Sequence, residues 1–250
     1  MDASWEQVIR DVCVAEGDEE RDVAELARGL DAPQAGRLLL YRRLVRGNLE
    51  AVARKLLPRT AACLDRAENG FGREFGAFLA EAGTRTHFLR DIGGELVRWG
   101  APARWAGQGY APHLADLARY EVLEFEVGIA DVAQPPPARA ELALDRGVVF
   151  HPTARLAHFA HAVHEEEHDP PAPRAVALLV FRDAEHAVHT RELDPTLAPV
   201  MERLLAGESL AEAVRAASAR AEGPIDDALL AQVAQLLAAL AEEGVLLGAA

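Results

Sequence analysis

Cysteine is nearly absent. Cys13 and Cys63 are the two in 250 residues, which excludes a disulfide framework and a cysteine-built zinc cluster. A reduced, cytoplasmic setting is the simplest expectation. Long apolar runs are missing too, so no segment is suited to span a bilayer. The N-terminus, MDASWEQVIRD, lacks the basic stretch and apolar core of a signal peptide. Signatures of nucleotide and nucleophile chemistry do not occur either. There is no Walker loop, and the glycines of ENGFGREFG lie between helical segments rather than after a strand. No GxSxG elbow and no HExxH motif is found, and neither cysteine has a histidine near it in sequence. The chain reads as catalytically quiet.

What is present is ordinary for a soluble globular protein: half the residues are hydrophobic and about a quarter charged. The length allows one sizeable core or two modest ones. A formal charge of −14, from 40 acidic and 26 basic residues, repels nucleic acid at long range. One stretch runs against it. YRRLVRGNLEAVARKLLPRT carries Arg42, Arg43, Arg46, Arg54, Lys55 and Arg59 against a single Glu50. It is either the solvated face of a helix or a docking patch for an acidic partner.

From Val8 to about Ala133 the pattern is helical, broken by glycine and proline. Leu40, Leu44, Leu49, Val52 and Leu56 approximate an apolar stripe, and Pro58 interrupts or restarts that helix. Phe75, Phe78 and Leu79 share a face of the next segment, with Gly83 as its stop. Phe88, Leu89, Ile92, Leu96 and Trp99 continue the series, followed by Leu114, Leu117, Leu123 and Val127. All are expected in the core of a helical bundle spanning residues 1–133, with 1–34 as an N-terminal extension. QPPPARA, residues 134–140, forms a stiff proline connector. Beyond it, in residues 141–250, the grammar changes. GVVF is a short β-like run, and AVALLVFRDAEHAVHTREL reads as two strands around a tight turn near residues 183–185. Asp194–Pro195 opens a helix closed by Gly207, and Ser209 with Glu212 forms a capping box. A long amphipathic helix ends at Gly244, before a terminal strand. The fold class expected is mainly α with a smaller α+β part, a helical bundle followed by a winged-helix-like domain.

The most site-like stretch is HFAHAVHEEEHD, which sets His158, His161, His164 and His168 beside three glutamates. On a helix these imidazoles would fall within about a third of the circumference and could share a metal. Pro152 before it and DPPAP after it favour an extended strand running into a polar turn, which separates them. His186 and His189 are expected on the surface of the hairpin, and His87 and His113 near helix starts without ligand spacing. Glu121 and Glu124, with Asp116 less than two turns earlier, form an acidic helix face rather than an acid/base pair.

The succession of these segments resembles the MbnC/HvfC/BufC-type family. The resemblance rests on Tyr41 heading a helix, Pro58 in the next turn, Phe75 with Phe78, and Leu117–Ala118 with Glu121. VVFHPTARL, ALLVFRD and PVMERLLAGESLAEAVRAA then follow in the expected order, so that it covers roughly residues 35–247. It implies a non-catalytic partner of a multinuclear non-haem iron oxidative enzyme of TIM-barrel fold. Iron is then held by the enzyme, and this chain binds no cofactor. Together the pair would modify a ribosomally made precursor peptide, which this chain captures by strand addition. The template implied is the strand carrying Val176, Leu178, Val180, Phe181 and Arg182 with its hairpin mate from Val188. Leu197, Met201 and Leu204 would line the groove beside it. Tyr41, Arg42, Arg46, Arg54, Arg59 and Glu121 would face the enzyme. A winged-helix DNA-binding regulator is the alternative, weakened by a recognition helix without lysine or arginine between Ile225 and Gly244. A histidine-rich metal-binding protein using residues 158–168 is the third.

Overall fold

A computed structural model describes residues 32–67, 70–86, 88–100, 102–132, 141–183, 185–220 and 227–250. Residues 1–31 and the expected proline connector at 134–140 lie outside that set. The architecture is mainly α with a small antiparallel β region. The chain divides into two compact units, Met1–Val122 and Leu123–Ala250. The division falls inside a helix, ahead of the proline run.

The first described helix, α1, spans Ala32–Leu56. Its buried positions are Leu38, Arg42 and Ala53, followed by Leu57, with Val45 and Leu49 half-buried between them. This corrects the expected stripe: Leu40 and Leu44 point to solvent, and Val52 and Leu56 are half-buried. The helix has turned a different side inward, and that side includes an arginine. At Leu57 the backbone leaves the helix (φ −131°, ψ 57°), and Pro58 restarts it as α2, Pro58–Asp65, without a side-chain cap from Leu57. Helix α3, Gly70–Glu81, buries Phe71, Phe75, Phe78 and Leu79. It ends at Gly83, whose φ of +64° L side chains rarely adopt and whose N–H donates to the Phe78 carbonyl.

A 3₁₀ turn, Leu89–Asp91, leads into α4, Ile92–Gly100, which buries Ile92, Leu96 and Val97. Phe88 and Leu89, expected in the core, are exposed. Phe88 is extended (φ −104°, ψ 119°), so the helical period starts only after it. Trp105, in α5 (Pro102–Gly107), is fully buried against Gly100, where a Cβ would lie 2.2 Å from the indole. Helix α6, Leu114–Ile129, buries Leu114, Leu117, Ala118 and Tyr120 in this unit and continues into the second.

In the second unit β1 (Val148–Phe150) pairs antiparallel with β5 (Leu246–Ala249). Strands β2 (Arg155–Phe159), β3 (Val176–Arg182) and β4 (Val188–Leu193) form an antiparallel sheet in the order β2-β3-β4. Three helices follow: α7 (Ala198–Leu205), α8 (Leu210–Arg220) and α9 (Asp227–Glu242). Ala177, Leu179, Phe181 and Leu193 share a core with Val200, Met201, Leu204, Val214, Val233, Leu237 and Leu240.

Local signals placed most ends of these helices. The Ser209 Oγ accepts from the Glu212 N–H (3.3 Å), while the Glu212 carboxylate accepts from the Ser209 N–H (3.2 Å) and hydroxyl (2.6 Å), a complete capping box. Gly207 and Gly244 both have positive φ where α7 and α9 end. The start of α7 is the exception. Asp194 holds a turn, accepting from the Thr196 N–H and hydroxyl, and the helix begins at Ala198 rather than at Pro195.

Candidate functional site: the β2-β3-β4 sheet and its edges

Side chains alternate across a strand, so the register assigns each residue of this sheet to a face. Leu179 lies opposite Arg191, Phe181 opposite His189 and Ala177 opposite Leu193, and this face rests on the three helices. On the reverse face, Val176, Leu178 and Val180 are also buried, with Phe159 opposite Val176. The C-terminal part of α6 meets that reverse face. The Thr190 hydroxyl donates to the Glu124 carboxylate (3.4 Å), the Arg182 guanidinium donates to the Gly128 carbonyl (3.1 Å), and Gly128 leaves no more than 3.3 Å between a would-be Cβ and Val188.

β3 is therefore the central strand, with partners on both sides. This corrects its expected role as a template: its ladder hydrogen bonds are taken, and Val176, Leu178, Val180 and Phe181 are core residues. Met201 and Leu204 are equally buried, so they do not line an open groove, while Leu197 is half-buried against the same core. Of the residues expected at a peptide, Val188 is half-buried and heads β4, and Arg182 closes β3. Within the sheet β2 and β4 are the edges. Arg155 at the start of β2 donates to the carbonyls of Pro152 (2.7 Å) and Ala154 (2.9 Å). β4 is six residues long and exposes His189 and Glu192. Arg191 of β4 pairs with Glu243 just beyond α9, which tethers the strand to that helix.

The histidine-rich stretch is extended as far as Phe159 and then turns. Its imidazoles diverge. His158 reaches Glu202 of α7 (2.7 Å), His164 reaches Glu192 of β4 (3.0 Å), and His168 lies 3.4 Å from Glu165. His164, Glu165 and Glu192 offer ligand atoms within 4.8 Å of one another, a spacing that suits a cation. Arg174 already stands there: its guanidinium binds Glu165 (2.6 Å) and Glu192, and holds the Glu192 carboxyl below the usual glutamate range. A metal would have to displace that cation. At the hairpin, His189 pairs with Asp183 (2.5 Å), which keeps the Asp183 carboxyl acidic. His151 titrates below an ordinary histidine, through burial first and then through the nearby Arg182 charge.

In the helical unit the residues expected to face an enzyme separate into surface and interior. Tyr41 is exposed, but Arg42 is 1% exposed and belongs to the core. Glu121 is buried too. Its carboxylate accepts from the Arg59 N–H (2.7 Å), the Thr60 N–H (2.9 Å) and the Thr60 hydroxyl (2.6 Å), so it caps the N-terminus of α2 from 61 residues away. Burial outweighs these three donors and pushes its carboxyl up. This corrects both the acidic-face and the partner-facing readings of Glu121. Arg54 spans Glu50 (3.0 Å) and Asp65 (2.5 Å) and lies over the Phe71 ring, Arg46 packs beside Gly76, and Arg59 is half-buried. Sequence reading also missed a buried pair. Cys63 and His113 lie 3.7 Å apart, and their separation of 50 residues leaves no local signal.

Among the described residues, buried ionisable groups hold the helical unit together, and the small sheet has β2 and β4 as its edges. Residues 151–241 match the family model described as HvfC C-terminal domain. The match is to a C-terminal domain and covers about a third of the chain, including the whole β2-β3-β4 sheet. Comparison with curated proteins finds no match. No described helix is long and apolar enough to cross a membrane.

Proposed function

We propose that this chain is the non-catalytic subunit of a cytoplasmic complex with a TIM-barrel multinuclear non-haem iron oxidative enzyme. In this reading its C-terminal unit binds a ribosomally made precursor peptide and presents it for modification. The observation that carries the reading is that the matched segment, 151–241, contains the whole β2-β3-β4 sheet with β4 as an edge. An extended peptide adds to such an edge through its main chain and gains specificity from alternate side chains. Three helices following a small antiparallel sheet support a winged-helix-like description of the unit. The template moves from β3 to β4, with Val188 and His189 at its head and Arg191 anchoring it to α9. Iron chemistry belongs to the enzyme, and this chain supplies recognition.

Charge argues against the DNA-binding reading of the same unit. Residues 123–250 carry 21 acidic and 9 basic residues, which disfavours phosphate contacts. Co-expression with a candidate iron enzyme tests the partner claim: the two chains are expected to co-elute in size-exclusion chromatography, and separate elution counts against it. Proline substitutions at His189 and Thr190, one at a time, test the edge. Successive N–H groups of an edge strand point alternately inward and outward. One substitution is therefore expected to abolish capture of the precursor peptide more completely than it perturbs the fold.

A further inference from the structure

In the helical unit the end of α3, the loop after it and α4 enclose an open-sided cavity of about 310 Å³. This is at the lower end of small-molecule sites, roughly 300–1,000 Å³, and admits one ring with a short chain. Phe78 and the Trp99 indole supply its apolar wall. That wall is fixed in place. The indole N–H donates to the Glu81 carboxylate (3.1 Å), the Arg104 guanidinium lies 3.9 Å over the ring, and the Phe78 ring meets it at 5.7 Å. Arg85 and Arg98, both exposed, are the cations lining the cavity, and Glu95 is the carboxylate. We propose that this cavity binds a small aromatic carboxylate, its ring against Phe78 and Trp99 and its carboxylate held by Arg85 and Arg98.

Charge chooses the sign of the ligand. Arg104, beside the cavity, is paired with Glu81 (2.8 Å), and Arg90 with Asp91 (3.8 Å). Among the described residues the Arg85 and Arg98 guanidinium groups have no such partner, although the protein carries 40 acidic residues against 26 basic ones. Glu95 does not supply one. Both of its oxygens accept from the Arg85 backbone N–H (3.2 Å each), which ties the loop after Gly83 to α4. The lining therefore holds two cations against one carboxylate, an excess that matches a monoanion better than a phosphate dianion. Planar guanidinium groups bind a carboxylate through paired N–H donors, and an aromatic body gains from meeting fixed ring edges and faces. None of these residues belongs to the 151–241 segment, so the inference is independent of the peptide and enzyme readings.

NMR of the indole N–H signals on the full-length chain provides the test. Trp99→Phe assigns the reporting signal, and the fully buried Trp105 shows whether the fold is intact. Hydrocinnamate is expected to shift the Trp99 signal saturably, with a dissociation constant on the order of millimolar. Hydrocinnamamide, the same body without the charge, is expected to bind about tenfold more weakly or worse. Arg85→Gln with Arg98→Gln, both at exposed sites, should bring the acid down to the level of the amide and leave the Trp105 signal where it was. A response of Trp99 to the acid that never saturates would overturn the proposal. So would equal binding of acid and amide, or unchanged affinity in the double variant, because the arginines would then hold no carboxylate.

Discussion

In the helical unit Arg42, Glu74, His113, Asp116 and Glu121 are buried, whereas the buried polar side chains described in the C-terminal unit are Thr153 and Ser218. The helical unit joins segments distant in sequence through interior ionisable groups, as Glu121 does for α2 and as Glu74 does by accepting from the Tyr110 hydroxyl (3.0 Å). The C-terminal unit has an apolar core, and its charges form surface pairs such as Arg203–Glu208 (2.8 Å) and the Arg174 cluster. Buried charge is costly unless it is hydrogen-bonded, so the ionisable residues of the first unit are committed to the fold. Those of the second mostly pair nearer the surface, where solvent screens them. The same residue types therefore mean different things in the two halves of one chain.

That contrast can be broken by substitution. The largest effect is expected for Leu179→Ala in the C-terminal core, a fully buried leucine, at roughly 3–4 kcal/mol of unfolding free energy. Denaturant unfolding followed by a probe in that unit would measure it. Glu121→Ala is expected to cost about 2–3 kcal/mol in the helical unit, because three donors lose their acceptor in a buried place. A cost near zero would mean that water replaces the carboxylate. Ser209→Ala removes half of the capping box and is expected to cost about 1 kcal/mol. Arg174→Ala should lower the melting temperature least of the four, since its partners are solvent-accessible and screened.

The buried Glu121 also differs from the paired surface carboxyls of the C-terminal unit in the sign of a pH effect. The Glu121 carboxyl is raised in the fold, so the folded state holds its proton more tightly than the unfolded chain does. Its contribution is full below the ordinary glutamate range and is lost as pH rises through the raised folded value. Glu192 and Asp183 are lowered, by Arg174 and His189 respectively. Their contributions are present above the ordinary carboxylate range and are lost as pH falls through the lowered folded values. Site-resolved carboxyl titration by NMR should show Glu121 shifted opposite to Glu192, and a shared direction would remove the contrast. Glu121→Gln should flatten the corresponding slope of stability against pH.

Local features of the fold were legible in the sequence and non-local ones were not. The Ser209–Glu212 box, the proline restart at Pro58 and the glycine stops at Gly83, Gly207 and Gly244 are each decided within a few residues, and the structure has them where the sequence puts them. The hairpin of β3 and β4 was legible for the same reason. The α1 stripe was misjudged because Leu40 and Leu44 fit the period as well as Leu38 and Ala53, and periodicity does not say which side a neighbour will cover. The place of β3 at the centre of the sheet was not legible, because pairing on its second side comes from β2, and no local signal announces that partner.

By itself the sequence determined helix and strand content, the main stops and caps, the charge asymmetry, and the family pattern later matched over residues 151–241. The tertiary structure alone decided that Arg42 and Glu121 face inward, that Cys63 meets His113, and that β4 rather than β3 ends the sheet. The physical reason is the range of the interactions. Caps and turns are satisfied by neighbours along the chain, whereas burial, ion pairing and sheet order depend on segments that only folding brings together.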